Sequence, residues 1–251
     1  MLTSIVGINW GDEGKGRMVD LLSQRYNVIC RYQGGNNAGH TVINDKGKFI
    51  LNLLPSGILR DTTVNVMGNG MVIDLEHLVG EMGRLTEKGI HITPENLKIS
   101  DRAIICMPYH KLLDNLEEDR LADKKFGSTR RGIAPVYADK YMKKGLRMAD
   151  LLIPRERLAE KVRDIVEWKN ITVRGYGHDP IDPEEMLAWL ETYGAPLRPF
   201  VTDVSAYLHG AIDAGENILF EAQLGALRDI DFGIYPYTSS STTLAAYAPI
   251  G

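Results

Sequence analysis

Cysteine is scarce in this chain: Cys30 and Cys106 are the only two among 251 residues. Two thiols cannot form the framework that staples small secreted domains. A chain of this length needs none, because it can bury about 70–75% of its unfolded surface in a core. Each cysteine sits in an apolar run, so both are expected to be buried free thiols of a protein in a reducing cytoplasm. Long apolar runs are missing as well. Stretches such as residues 103–107 fall far short of the roughly 20 residues a membrane-spanning helix needs. The opening MLTSIVGINW has no basic segment ahead of its apolar stretch and reads as a first strand, not a signal peptide. Positive charge is not in excess: 29 Lys and Arg face 33 Asp and Glu, for a net charge of −4. That balance argues against a nucleic-acid binder and leaves room for a local basic pocket that holds phosphates. No internal repeat, low-complexity tract or linker divides the chain, so one domain over residues 1–251 is expected.

What is present is the pattern of an α/β fold. Residues 4–8 form an apolar run that ends in a glycine-rich turn. Residues 15–26 follow with Met18, Val19, Leu21 and Leu22 at helical spacing, and residues 28–32 read as a second strand. Strand, turn, helix and strand in that order open an α/β sheet. Asp45-Lys46-Gly47 reads as a hairpin turn between residues 41–44 and 49–54. Residues 64–67 read as a buried strand, and Gly68-Asn69-Gly70 after it as a phosphate-sized turn. Helices are expected over residues 74–85, 110–121, 154–168 and 203–214. Another follows Asp182, which has the N-cap chemistry, with Pro183 in the first turn. Residues 122–135 are polar, basic and without periodicity, and read as a surface loop. The helices between about 108 and 200 suggest a helical insertion in the sheet domain.

Two segments carry most of the chemistry. The first is Gly7-Ile8-Asn9-Trp10-Gly11-Asp12-Glu13-Gly14-Lys15-Gly16-Arg17. Its glycines let backbone N–H groups approach phosphate oxygens, the helix that follows adds about half a positive charge, and Lys15 adds a full one. The spacing is not that of a regular Walker A loop, and Gly16 stands where a Ser or Thr would hold Mg²⁺. Any metal must then find other oxygens, with Asp12 the nearest. The second segment, Arg31 to Thr41 (RYQGGNNAGHT), follows the second strand. It should leave the same sheet edge from a neighbouring strand, where α/β sheets bind ligands. His40, between Gly39 and Thr41, stands out from the other five histidines as a candidate for chemistry. A third stretch, FGSTRRGIAP from Phe126, pairs small hydroxyls with arginines and suits a phosphate monoester, though a solvated basic loop reads as well. A fourth, FEAQLG from Phe220 with the hydroxyl-rich residues 235–243 beyond it, ends a strand in polar groups.

Together these segments resemble the adenylosuccinate synthetase family. WGDEGKGR, RYQGGNNAGHTV, LLPSGIL, GNGMVID, PYHKLLD, GSTRRGIAPVYADK, KKGLRMADLL and FEAQLGALRDIDFGIYPYTSSSTT are similar to its sequence blocks, in their usual order from residue 5 to 243. The resemblance implies a P-loop-NTPase-like fold, with a mostly parallel central sheet flanked by helices. It also implies a Mg²⁺-dependent homodimer that uses GTP to join IMP and L-aspartate into adenylosuccinate through a 6-phosphoryl-IMP intermediate. In that reading Asp12 takes the N1 proton of IMP and His40 hydrogen-bonds the transferring phosphoryl group. Gly11, Asp12, Glu13, Gly14, Lys15, Gly16 and Arg17, with Gly39, His40 and Thr41, face GTP. Asp12, Lys15, Asn37, Ala38, Gly39, His40, Thr129, Lys143, Gln223 and Thr238 face IMP. Asp12 and the Gly39 carbonyl hold Mg²⁺. Neither nucleic acid nor a membrane is an expected partner.

Several positions depart from the family pattern. Lys143 stands where an arginine normally reaches the IMP phosphate of the neighbouring subunit, which keeps the charge and loses the two-pronged fork. Arg130 replaces a glycine of the IMP loop. In FEAQLG the glutamine falls one place early, so Leu224 occupies its usual column and Gln223 is the candidate substitute. The family's chain also continues past residue 251 with the segments that recognise aspartate and guanine. Three expectations follow: the first is a portion of a GTP-dependent ligase, and the second a partial unit that binds IMP or phosphate and dimerises without completing the reaction. A different phosphotransferase acting on another purine nucleotide is the third.

Overall fold

The structure is a computed structural model that describes residues 1–44, 47–125 and 127–251. Sixteen regular elements order along the described chain. They begin with β1 (Leu2–Gly7), α1 (Lys15–Leu22), β2 (Val28–Gly34), β3 (His40–Asn44), β4 (Gly47–Leu51), β5 (Val64–Ile73), α2 (Leu75–Glu87), β6 (Leu97–Ser100) and β7 (Ile104–Ile105). Four helices come next: α3 (Pro108–Leu121), α4 (Ile133–Met142), α5 (Arg155–Gly175) and α6 (Pro183–Gly194). β8 (Val201–Thr202), α7 (Val204–Asp213) and β9 (Ile218–Gly225) complete the set.

Seven strands form one sheet in the order β1-β9-β2-β5-β6-β8, with β7 beside the end of β5, and every pairing in it is parallel. Parallel strands are covered on both faces, so they read as unbroken apolar runs. Val28, Ile29 and Cys30 of β2 are buried for that reason. The largest core cluster lies under α2, α5 and α6, with Leu75, Leu78, Leu158, Val162, Val166 and Leu190 packed on Met67, Met71 and Ile73 of β5. β3 and β4 pair antiparallel as a separate hairpin. The turn expected at Asp45-Lys46-Gly47 has Asp45 and Lys46 outside the described residues. Asp74, Asp182 and Asp203 cap α2, α6 and α7, accepting from the N–H groups of His77, Glu184 and Ala206.

Three expectations are corrected. First, Gly68-Asn69-Gly70 is no turn, because β5 runs through it to Ile73. The glycines serve close packing instead: Gly70 N–H donates to the Gly251 carbonyl, and a Cβ at Gly68 would stand 2.3 Å from that oxygen. Second, residues 133–135 belong to α4, with Pro135 in its first turn, where a missing N–H is tolerated. Third, the two glycine-rich segments do not leave neighbouring strands. β9 lies between β1 and β2, pairing Ser4 with Phe220 on one side and Cys30 with Phe220 on the other. Since all three strands are parallel, their ends at Gly7, Gly34 and Gly225 reach one sheet edge.

Candidate functional site

At that edge a cavity of about 240 Å³ is lined from three directions. The first loop supplies Gly11, Asp12, Gly14, Lys15, Gly16 and Arg17; the second supplies Ala38, Gly39, His40 and Thr41, with Arg31 from β2 behind them. β9 supplies the third side through Glu221, Ala222, Gln223 and Leu224. Asp12 and His40 therefore share one anion-sized hollow. Glu13, Asn37, Thr129, Lys143 and Thr238 stand outside its lining.

The first loop is shaped by its own charges. The Asn9 N–H donates to Glu13 Oε1 at 2.7 Å. Burial pushes the Glu13 carboxyl up, but the N–H groups of Asn9, Gly11 and Glu13 itself outweigh it and hold the carboxyl below its ordinary value. Gly14 caps α1 in the left-handed region (φ 88°) and, lacking a side chain, makes no side-chain cap bond to the first-turn N–H groups. Those amides and the helix dipole present positive potential to the hollow. Lys15 Nζ donates to the carbonyls of Gly11 (2.8 Å) and Leu224 (2.6 Å), tying the loop to the end of β9. Burial lowers its pKa, against the pull of Glu13, Glu221 and Asp12.

Gly16 is required by a close approach. The His40 ring lies on it, and a Cβ there would stand 2.3 Å from His40 Cδ2. The histidine thus occupies the space that the Ser or Thr side chain of a regular Walker A loop would need. Its Nε2 is 2.8 Å from Ser56 Oγ and 3.6 Å from Glu221 Oε1. Burial lowers the His40 pKa, opposed by Glu221 and reinforced by Arg31 and Lys15.

The second loop is braced from β9. Gln223 Nε2 donates to the carbonyls of Gly35 (2.8 Å) and Ala38 (3.2 Å), while its Oε1 accepts from the Gly35 N–H at 3.0 Å. The amide expected to face IMP is turned onto the backbone of the loop that carries His40. Leu224 holds a left-handed backbone (φ 63°), as do Arg130 (φ 56°) and Lys143 (φ 61°). All three positions that depart from the family pattern thus keep backbone shapes that favour glycine. Arg130 is held by ion pairing to Asp119 at 2.7 Å and by a 3.2 Å bond to Asn115 Oδ1.

Sequence reasoning passed over three lining or supporting residues. Arg31 is buried, with Nη1 donating to the Asn52 and Leu54 carbonyls and Nε unpartnered among the described residues. Ser56 and Glu221 are buried and bonded to each other. Arg31 opens the RYQGG segment and Glu221 stands inside FEAQLG. A charged residue within an otherwise apolar strand is the signal that would have found both.

The cavity has the donor set of a Mg²⁺–phosphate site more than that of a protein cage. Among the described residues no cluster of three or more His, Cys, Asp or Glu could hold a metal by itself. Asp12 and the Gly39 carbonyl offer two oxygens beside Arg31, Lys15 and free amides. Mg²⁺ is commonly held in this way, by one or two protein oxygens together with substrate phosphates and water. Among the described residues no helix is long and apolar enough to cross a membrane. Cys30 and Cys106 are free and buried, and burial pushes the Cys30 thiol up to about 12 and Cys106 further still.

The profile of the adenylosuccinate synthetase family matches residues 4–251. Two similar curated relatives are adenylosuccinate synthetases. That of Limosilactobacillus fermentum is 46% identical over 248 residues, covering 98% of this chain and 57% of its own length. That of Halothermothrix orenii is 48% identical over 242 residues, covering 96% of this chain and 56% of its own. The solved structure of fully ligated adenylosuccinate synthetase from Plasmodium falciparum superimposes with a TM-score of 0.90 at 33% identity, covering 99% of this chain and 57% of that one. The chain spans a little over half the length of the relatives it matches.

Proposed function

The chain belongs to the adenylosuccinate synthetase family, and from that premise we propose that it carries the phosphoryl-transfer centre of a GTP-dependent ligase that joins IMP to L-aspartate. The observation that carries this reading is the shared hollow: a carboxylate, Asp12, and an imidazole, His40, line one cavity with Lys15, Arg31 and the open amides of α1. A site that only bound phosphate would have no need of an exposed carboxylate among its cations, whereas proton abstraction does.

In the first step Asp12 takes the N1 proton of IMP, and the electron density released makes O6 a nucleophile. O6 attacks the γ-phosphorus of GTP, the bond to the β,γ-bridging oxygen breaks, and GDP leaves. His40 hydrogen-bonds the phosphoryl group in flight. Arg31, Lys15 and the amides of Gly14 to Arg17 offset its charge, so catalysis here is mostly positioning and electrostatics. In the second step the amine of aspartate attacks C6. Phosphate leaves with the former O6, and the amine gives up a proton. Asp12 and the Gly39 carbonyl would hold Mg²⁺, which would supply charge neutralisation at the phosphates.

Glu13, Asn37, Thr129 and Thr238 remain proposed nucleotide contacts, and Gln223, bonded to the Gly35 and Ala38 carbonyls, is proposed to act on IMP through the loop it braces. Lys143 is proposed to reach IMP bound to a second copy of the chain, since it lies beside the exposed Tyr141 and Met142. One second reading is a unit that binds IMP without completing ligation. Mixing the chain with GTP, IMP, Mg²⁺ and aspartate and following the ultraviolet change of the purine separates the two. Turnover abolished by Asp12→Ala supports the ligase, and IMP binding without turnover supports the second reading.

A further inference from the structure

Among the described residues, the Glu221 side chain hydrogen-bonds twice to Ser56. Its Oε2 accepts from the Ser56 N–H at 2.9 Å and its Oε1 accepts from the Ser56 hydroxyl at 2.7 Å. Glu221 is 2% exposed and Ser56 0%. The Ser56 hydroxyl has one proton, which it donates in a hydrogen bond to the carboxylate, a group that only accepts. The Ser56 oxygen is then left as an acceptor toward His40 Nε2, 2.8 Å away. Nε2 must carry a proton to complete that bond, which leaves the lone pair of the neutral ring on Nδ1. We propose that Glu221, acting through Ser56, is the positioning residue of His40: it fixes the Nε2–H tautomer and the ring plane against Gly16. The inference deepens the phosphoryl-transfer reading of the same cavity and rests on it for its catalytic meaning: with Nδ1 a lone pair, the Nε2–H that rests on Ser56 is the one donor the neutral ring can share with the phosphoryl group, and a ring that has lost it cannot donate from that position.

The geometry makes an uncommon substitution outcome derivable. In Glu221→Gln the Ser56 N–H still needs an acceptor, so the amide oxygen takes the former Oε2 position. The amide NH₂ then falls at the former Oε1 position and donates to Ser56 Oγ. The hydroxyl must turn its proton toward His40 Nε2, and the ring proton moves to Nδ1. One isosteric change thus reverses the whole chain of donors without emptying any space.

The test is a long-range proton–nitrogen correlation spectrum of the intact chain labelled with ¹⁵N-histidine, recorded without nucleotide at a pH where the rings are neutral. The His40 signal is assigned by its loss in His40→Gln. The parent is expected to show a protonated Nε2 and a lone pair on Nδ1, Glu221→Gln to show the two exchanged, and Ser56→Ala to show a mixture. A parent ring protonated on Nδ1, or a Glu221→Gln ring still protonated on Nε2, overturns the proposal. Where turnover is measured, Glu221→Gln is expected to lower kcat at least about tenfold and leave the KM for IMP within about threefold. A raised KM with kcat intact counts against positioning. Because the tautomer is read with no nucleotide present, absence of turnover refutes the proposed function alone, while an unreversed tautomer in an active protein refutes this inference alone.

Discussion

Gly16→Ala sets two effects of opposite sign against each other, and the structure decides between them. Gly16 is the second residue of α1, with no unusual backbone angle, so alanine there should stabilise the helix by up to about 1 kcal/mol. The added Cβ, however, would stand 2.3 Å from His40 Cδ2 and 3.0 Å from Cγ. Ordinary contact begins near 3.4 Å, so the ring must retreat by roughly 1 Å, and overpacking of this kind costs about 1–3 kcal/mol. The retreat also stretches the 2.8 Å bond between Nε2 and Ser56, a further loss of about 0.5–1.5 kcal/mol. The balance is a net destabilisation of about 1–3 kcal/mol. Urea unfolding followed by circular dichroism measures it as a lower midpoint at unchanged slope. A double-mutant cycle isolates the cause. With the ring removed in His40→Ala, the same Gly16→Ala change should become neutral or stabilising. If Gly16→Ala stabilises the parent, or destabilises both backgrounds equally, the ring is not what requires the glycine.

Three further outcomes follow from other parts of the structure. Asp139 of α4 is buried between His110 of α3 (2.8 Å) and Lys169 of α5, so Asp139→Ala strands a buried ammonium and should cost about 3–5 kcal/mol. Adding Lys169→Met should recover most of it, and a double variant no more stable than the single would refute the pairing. His110, His40 and His77 have their pKa values lowered, in each case first by burial. The unfolded chain therefore binds protons at a higher pH than the folded one. Stability is full above the ordinary histidine range near 6.5 and is lost as pH falls through the folded values, with each histidine adding up to about 1.4 kcal/mol per pH unit. Urea midpoints that do not fall between pH 7.5 and 5.5 would contradict this. Arg130→Gly relieves a left-handed arginine, worth about 1–2 kcal/mol, and gives up only a solvent-screened ion pair to Asp119. The variant should match or slightly exceed the parent in thermal midpoint, and a marked drop would show that the ion pair dominates.

What was legible in the sequence was local. The first loop announces itself because glycines and charges lie together between a strand and a helix, and the N-cap at Asp182 is decided within one turn. What was not legible depended on distant partners. Gly68-Asn69-Gly70 has the composition of a turn, and only the approach of Tyr32 and Gly251 shows why glycine is needed in a straight strand. Strand order is set by packing across the sheet, so the seating of β9 between β1 and β2 leaves no mark in the residues of either loop. Ser56 and Glu221 are 165 residues apart, and their role exists only where those strands and turns meet.

The central claim is that Asp12 and His40 flank the oxygen that receives a phosphoryl group. It is tested most directly by GTP labelled with ¹⁸O in the β,γ-bridge, incubated with the chain, Mg²⁺ and IMP in the absence of aspartate. Reversible transfer to IMP lets the β-phosphate rotate and scrambles the label. The account predicts scrambling that requires IMP and collapses in Asp12→Asn, while nucleotide affinity stays within a few-fold. A label that stays in the bridge at saturating nucleotides, or scrambles as fast in Asp12→Asn as in the parent, would contradict it.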